Sequence, residues 1–193
     1  MDLNELRKQR EQAAHRRRRV IFNNDGNTIM YRLGDNDISR EALLADRTKP
    51  LLGTHVDSIF YCTSAGLGMS THVSEVSEPF VSREGVFEAN QTKAFHEAGL
   101  DPLEIMVDFC RANEIEVFWS MRMNDIHDSY PLWHMLGSQF KRDNPQLLFG
   151  SLAEPPAFGF WSGAAYDEAE VREKAFRMQE DVCKRYDVDG IEM

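Results

Sequence analysis

Arg122, Asn124, Asp125, His127 and Asp128 place a guanidinium, an amide, an imidazole and two carboxylates within seven positions. Such a set suits a sugar, because carboxylates accept from hydroxyls and a guanidinium offers a planar fork of donors. Two further acids belong with it if the fold brings them near: Asp25, which follows an apolar run, and Glu192, which sits where apolar residues are expected. Acid and base catalysis at a glycosidic bond needs two carboxyl groups roughly 5 to 10 Å apart. Asp125, Glu192 and Asp25 are the catalytic candidates. Asn23, Arg122, Asn124, His127 and Asp128 are candidates for substrate binding, and Trp119 and Trp161, with Trp133, Tyr130 and Phe160, offer rings for stacking on sugar faces. The same residues admit a plainer reading, in which Asp125 and Asp128 satisfy local backbone amides of a capped loop and the rings pack in a core.

Other chemistries have weaker footing. His127 with Asp125 and Asp25 is a conceivable metal set, but the chain has no H-x-H or H-E-x-x-H, so no metal is expected. Gly66-Leu67-Gly68 lacks the third glycine of a dinucleotide loop, Thr71 standing in its place, and no cofactor is expected. Cys62, at the end of an apolar run, reads as a small apolar filler.

The elements that must position these groups are legible from runs and caps. Arg19 to Asn24, Asp57 to Cys62, Ile115 to Met121 and Val188 to Met193 are short apolar runs rich in β-branched and aromatic residues, and each predicts a strand. Ser39 opens a helix with Glu41 in its first turn, and Asp101-Pro102-Leu103-Glu104 combines a cap, a proline at the first helical position and a carboxylate three residues on. Glu168 to Tyr186 carries Val171, Ala175, Met178 and Val182 along one helical face. Strands separated by helices imply right-handed crossovers and a parallel sheet. A (β/α)8 TIM barrel takes roughly 250 residues, so four strands predict an α/β chain truncated after about four βα units. The alternative is a complete small open parallel sheet. Either way the active side is the carboxyl end of the strands, where the polar residues cluster.

Composition narrows the function classes. The 193 residues are 42% hydrophobic and 28% charged, ordinary for a globular chain. A net charge of −10 repels a nucleic-acid backbone, so no nucleic-acid partner is expected. No apolar stretch reaches the roughly 18 residues of a membrane span, and no membrane partner is expected. Three widely separated cysteines and an acidic, signal-free start predict free thiols and a cytoplasmic protein. Residues 1 to 18, rich in Arg and Lys, read as a basic N-terminal helix or tail, and 19 to 193 as the half-barrel catalytic domain. Open strands at the margins of such a sheet predict self-association.

Three segments carry a family resemblance: Arg17 to Gly26, Leu51 to Cys62, and Phe118 to Asp128 with its Arg-Met-Asn-Asp core. Across residues 17 to 193 the chain resembles the bacterial glycosyl-hydrolase-like barrel proteins, related to family-ten-like glycoside hydrolases. The resemblance implies a (β/α)8 barrel, a carbohydrate substrate, and poly- or oligosaccharide hydrolysis by carboxylate acid and base catalysis. In such families the fourth strand commonly reads Asp-Gly-Ile followed by acidic residues, and Asp189-Gly190-Ile191-Glu192-Met193 matches the opening of that pattern. The resemblance therefore implies that this stretch holds part of the active site, and that hydrolysis is incomplete without the remainder. Two other functions stay open on the residues alone: a non-catalytic carbohydrate- or partner-binding α/β domain, and a metal-dependent barrel hydrolase.

Overall fold

A computed structural model describes residues 2–34 and 37–193. In chain order it has helix α1 (Leu3–Ala14), strand β1 (Val20–Asn24), helices α2 (Thr28–Tyr31) and α3 (Arg40–Ala45), and strand β2 (Val56–Cys62). Three short strands follow, β3 (Ser64–Gly66), β4 (Met69–Ser70) and β5 (Glu78–Pro79), then helices α4 (Thr92–Glu97) and α5 (Pro102–Ala112) and strand β6 (Glu116–Ser120). Helices α6 (Gln139–Asp143) and α7 (Ala169–Arg185) lead to strand β7 (Gly190–Glu192). The four apolar runs thus become β1, β2, β6 and β7. The expected caps are in place as well: Ser39 Oγ accepts from the N–H of Ala42 at 3.1 Å, and Asp101 Oδ1 from that of Leu103 at 2.8 Å.

These four strands form one parallel sheet in the order β1-β2-β6-β7. Sequential order, with no reversal, separates a barrel wall from a doubly wound sheet, whose strand order turns back and whose two faces both carry helices. Here the helices lie on one face. Ile59, Tyr61, Val117 and Trp119 of the sheet share a core with Leu103, Met106 and Cys110 of α5 and with Val171, Met178 and Val182 of α7. The strand partners Asn23, Phe60, Phe118 and Gly190 lie side by side on the opposite, lumen-facing side. The architecture is that of a partial (β/α)8 barrel, three consecutive βα units and a fourth strand, and not that of a doubly wound sheet.

On the lumen face the Phe60 and Phe118 rings stack at 4.5 Å. Position 190 must be glycine, since a Cβ there would meet the Phe118 ring at 2.4 Å. At the amino end of the sheet, buried Glu116 is held by Arg18, whose Nε and Nη2 donate to its two oxygens at 2.5 and 2.6 Å, and by Ser58 Oγ at 2.6 Å. The same guanidinium lies over the Phe118 ring at 5.3 Å. The basic run is therefore not uniformly solvated: α1 has no buried residue, but Arg18 folds back as the floor of the sheet.

The long β2–α5 connection carries structure of its own. β3 pairs antiparallel with β4, and β4 parallel with β5, over a second small core of Ala65, Met69, Phe80, Phe87 and Leu136. This subdomain stands on the carboxyl end of β2 and walls one side of the cleft there. Among the described residues no helix is long and apolar enough to cross a membrane.

Candidate functional site

Because the strands are parallel, the residues following each one emerge on the same rim. Asp25 after β1, Cys62 to Ala65 at the end of β2, and Arg122 to His127 after β6 meet around a cavity of about 560 Å³, also lined by Met30, Tyr31, Trp133 and Leu136. Arg122 is its hub. Nη2 donates to Asp25 Oδ1 at 2.7 Å, Nη1 to Asp125 Oδ2 at 3.2 Å, and its backbone N–H to Ser64 Oγ at 3.0 Å. One residue, by its side chain and its backbone N–H, thereby ties the segments after β1, β2 and β6 together.

Asp125 is buried and its Oδ1 accepts from His127 twice, from the backbone N–H at 2.9 Å and from Nδ1 at 2.7 Å. Burial by itself pushes a carboxyl pKa up. The bonds from His127 and Arg122 outweigh it and hold Asp125 below the usual carboxylate range. An ionised Asp125 places the proton of His127 on Nδ1, which leaves Nε2 as the nitrogen available to a ligand. The imidazole packs edge-on to Trp133 at 5.0 Å. Asp125, expected as a catalytic acid or base, lines the cavity with both oxygens engaged, Oδ1 by His127 and Oδ2 by Arg122. Asp25, with its side chain 56% exposed, is the cavity's accessible one.

A tight turn carries Asp25 to the rim. Asn24 Oδ1 accepts from the N–H of Gly26, and Gly26 has φ +64° with its Cα so near β2 that a Cβ would lie 1.7 Å from the Cys62 carbonyl oxygen. Only glycine meets both conditions.

The remaining candidates separate from this cluster. Asn124 lines the cavity, yet its amide is spent on Ala164, donating to the carbonyl at 3.1 Å and accepting from the N–H at 2.7 Å. Asp128 is buried outside it, paired with Lys141 Nζ at 3.1 Å and accepting from Ser162 Oγ at 2.6 Å. Trp119 is fully buried on the helix side, its indole donating to Thr63 Oγ1 at 2.9 Å, so neither ring face is open to a sugar. Trp161 lines a separate apolar cavity of about 410 Å³ with Tyr130, Pro131 and Leu152. Asn23 is exposed on the lumen face, and Glu192 pairs in register with Ser120 at the sheet's margin. Neither lines the central cavity.

Several contributors carried no signal of their own. Tyr31 reaches the cavity from a helix of four residues, and buried Lys141 braces the site by donating from Nζ to the Asp125 carbonyl oxygen at 2.8 Å. Ser64 is different, since the strand-end rule that singled out Asp25 and Arg122 applies equally to the residues after Cys62. Among the described residues no three His, Cys, Asp or Glu side chains converge as a metal site.

Fold and rim together define a partial (β/α)8 barrel with a polar cleft at the carboxyl ends of its strands. A solved structure with a similar fold is a noncanonic maltogenic α-amylase from Thermotoga neapolitana, at 15% identity and a TM-score of 0.50, over 89% of this chain and 37% of that one. The chain thus spans well under half the length of that enzyme, and the likeness is one of fold. No protein-family model and no curated protein matches the chain.

Proposed function

We propose that the rim cavity binds a carbohydrate chain, as part of a glycoside-hydrolase-like barrel of the family-ten-like kind. The observation that carries this reading is the Asp25–Arg122–Asp125–His127 relay opening on one cavity beside the Trp133 ring. An indole supplies an apolar platform, His127 and Asp25 supply a donor and an acceptor for hydroxyls, and Arg122 fixes their geometry. The fold likeness to an amylase is in keeping with it. Asp125 takes no proton in this reading; it orients His127. The carboxyls left for acid and base work are Asp25 and Glu192, and hydrolysis needs the remaining strands of a whole barrel.

The test is a glycan array followed by calorimetry on the best ligand, comparing the wild type with Arg122→Ala and Trp133→Ala. Each substitution is expected to weaken binding at least about tenfold, or about 1.4 kcal/mol. Full affinity in both variants, or an array without a single binder, would sink the carbohydrate assignment.

A further inference from the structure

We propose, resting on the carbohydrate reading of the rim cavity, that its substrate class is a sugar chain free of acidic groups, and that uronic, sulfated and phosphorylated sugars are turned away by charge. Among the described residues the Asp, Glu, Lys and Arg side chains that line the cavity are Asp25, Arg122 and Asp125. Two carboxylates and one guanidinium leave this wall one charge negative. Protonating His127 would bring the sum only to zero, so the wall never turns positive.

Recognition of an acidic sugar calls for a guanidinium fork or an ammonium that is still unpaired. Arg122 has given both terminal nitrogens to carboxylates of its own chain, Nη2 to Asp25 at 2.7 Å and Nη1 to Asp125 at 3.2 Å. Lys141, the buried cation behind this cluster, does not line the cavity: its Nζ donates to the Asp125 carbonyl oxygen at 2.8 Å and to both Asp128 carboxylate oxygens at 3.1 Å. The charged group that an incoming ligand meets is therefore Asp25, whose side chain is 56% exposed. Tyr31 and Trp133 complete the lining with uncharged rings, which suit the apolar face of a neutral sugar. With a net charge of −10, the chain as a whole also disfavours the approach of a polyanion.

A glycan array carrying neutral, amino and acidic sugars tests this on the full chain, followed by calorimetry on the best neutral binder and on its uronate counterpart. The binders are expected among the neutral and amino glycans. The uronate is expected to bind at least about fivefold more weakly, the factor that one like-charge contact at about 4 Å is worth in water, and the gap is expected to narrow as salt is added. Asp25→Asn brings the wall to zero charge and is expected to remove most of the gap, with the far-ultraviolet circular dichroism unchanged. Acidic glycans among the strongest binders, or equal affinity for the neutral glycan and its uronate, overturn the inference and leave the carbohydrate reading standing. So does a gap that neither salt nor Asp25→Asn narrows, because shape and not charge then excludes the uronate. An array without a binder removes both.

Discussion

Asp125 Oδ1 accepts both N–H groups that His127 can offer it, from the backbone at 2.9 Å and from Nδ1 at 2.7 Å. This pairing decides which nitrogen faces the cavity, and under the proposed function it gives Asp125 the task of holding His127 in place. Asp125→Asn keeps the shape and removes the charge that fixes the tautomer. We expect about a tenfold loss of ligand affinity, near 1.4 kcal/mol, together with a lower Tm, because the buried carboxylate that Arg122 and His127 donate to loses its charge. Calorimetry beside thermal denaturation checks it, and an unaltered affinity would falsify the orienting role.

The Arg18–Glu116 pair makes a stability prediction. Burial raises the Glu116 pKa, but the bonds from Arg18 and Ser58 outweigh that and hold it low. Arg18→Ala leaves a carboxylate whose side chain is 3% exposed with only Ser58 Oγ and the more distant Arg16 at 3.8 Å, and removing one partner of such a buried pair costs up to about 3 to 5 kcal/mol. Adding Glu116→Gln to Arg18→Ala is expected to restore much of the loss, because a neutral amide no longer needs the counter-charge. Urea denaturation of the three proteins decides it; a loss under about 1 kcal/mol in the single variant would mean that the floor is not braced this way.

A second buried network predicts the pH dependence. His72 is buried between Trp119 and Tyr186, and its Nδ1 lies 2.7 Å from Thr63 Oγ1. Thr63 Oγ1 also accepts from the Trp119 indole, and the imidazole in this closed pocket is neutral. Burial lowers its pKa from 6.5 to about 4. The folded state therefore binds fewer protons than the unfolded one between those values, and stability falls as pH drops from 6.5 to 4. The expected loss is about 3 kcal/mol, at 1.36 kcal/mol for each pH unit. Above pH 6.5 this residue contributes no slope. Below about pH 4 the protonation of Asp57, Glu116 and Asp125, all held low by their partners, takes over as the destabilising event. His72→Gln is expected to flatten the upper window, as read by denaturant midpoints at successive pH values.

Gly26 and Gly53 make a matched pair. Both have positive φ, but a Cβ at 26 strikes the Cys62 carbonyl while one at 53 meets nothing within 4 Å. Gly53→Ala is expected to cost about 1 to 2 kcal/mol from backbone conformation alone. Gly26→Ala adds a clash between main chains and is expected to cost clearly more, and to weaken ligand binding by displacing Asp25. Equal losses in the two variants would show that the β1 turn can shift without disturbing the rim.

Much of the fold is legible in the sequence. β1, β2, β6 and β7 are short apolar runs closed by polar residues, and α3, α5 and α7 announce themselves through Ser39, through Asp101-Pro102, and through the Val171 to Val182 stripe. The subdomain of β3 to β5 was not legible, because strands of two or three residues have no periodicity to display, and their register depends on Phe80 and Phe87 packing from farther along the chain.

What the sequence by itself determined is local and one-dimensional: which runs are strands, where helices begin, and that the polar residues Asp25, Arg122, Asp125 and His127 fall just after strands. Tertiary structure alone decided which of them meet. Asn124 and Asp128 stand beside Asp125 in the chain, yet one is spent on Ala164 and the other on Lys141, both brought in by later segments. Trp119 could not be told from an exposed ring, because strand residues alternate between faces and the face that carries the helices is set by the handedness of the crossovers. Arg18 and Glu116, 98 positions apart, could not be matched from composition, because a basic run names no partner until the sheet brings one beneath it.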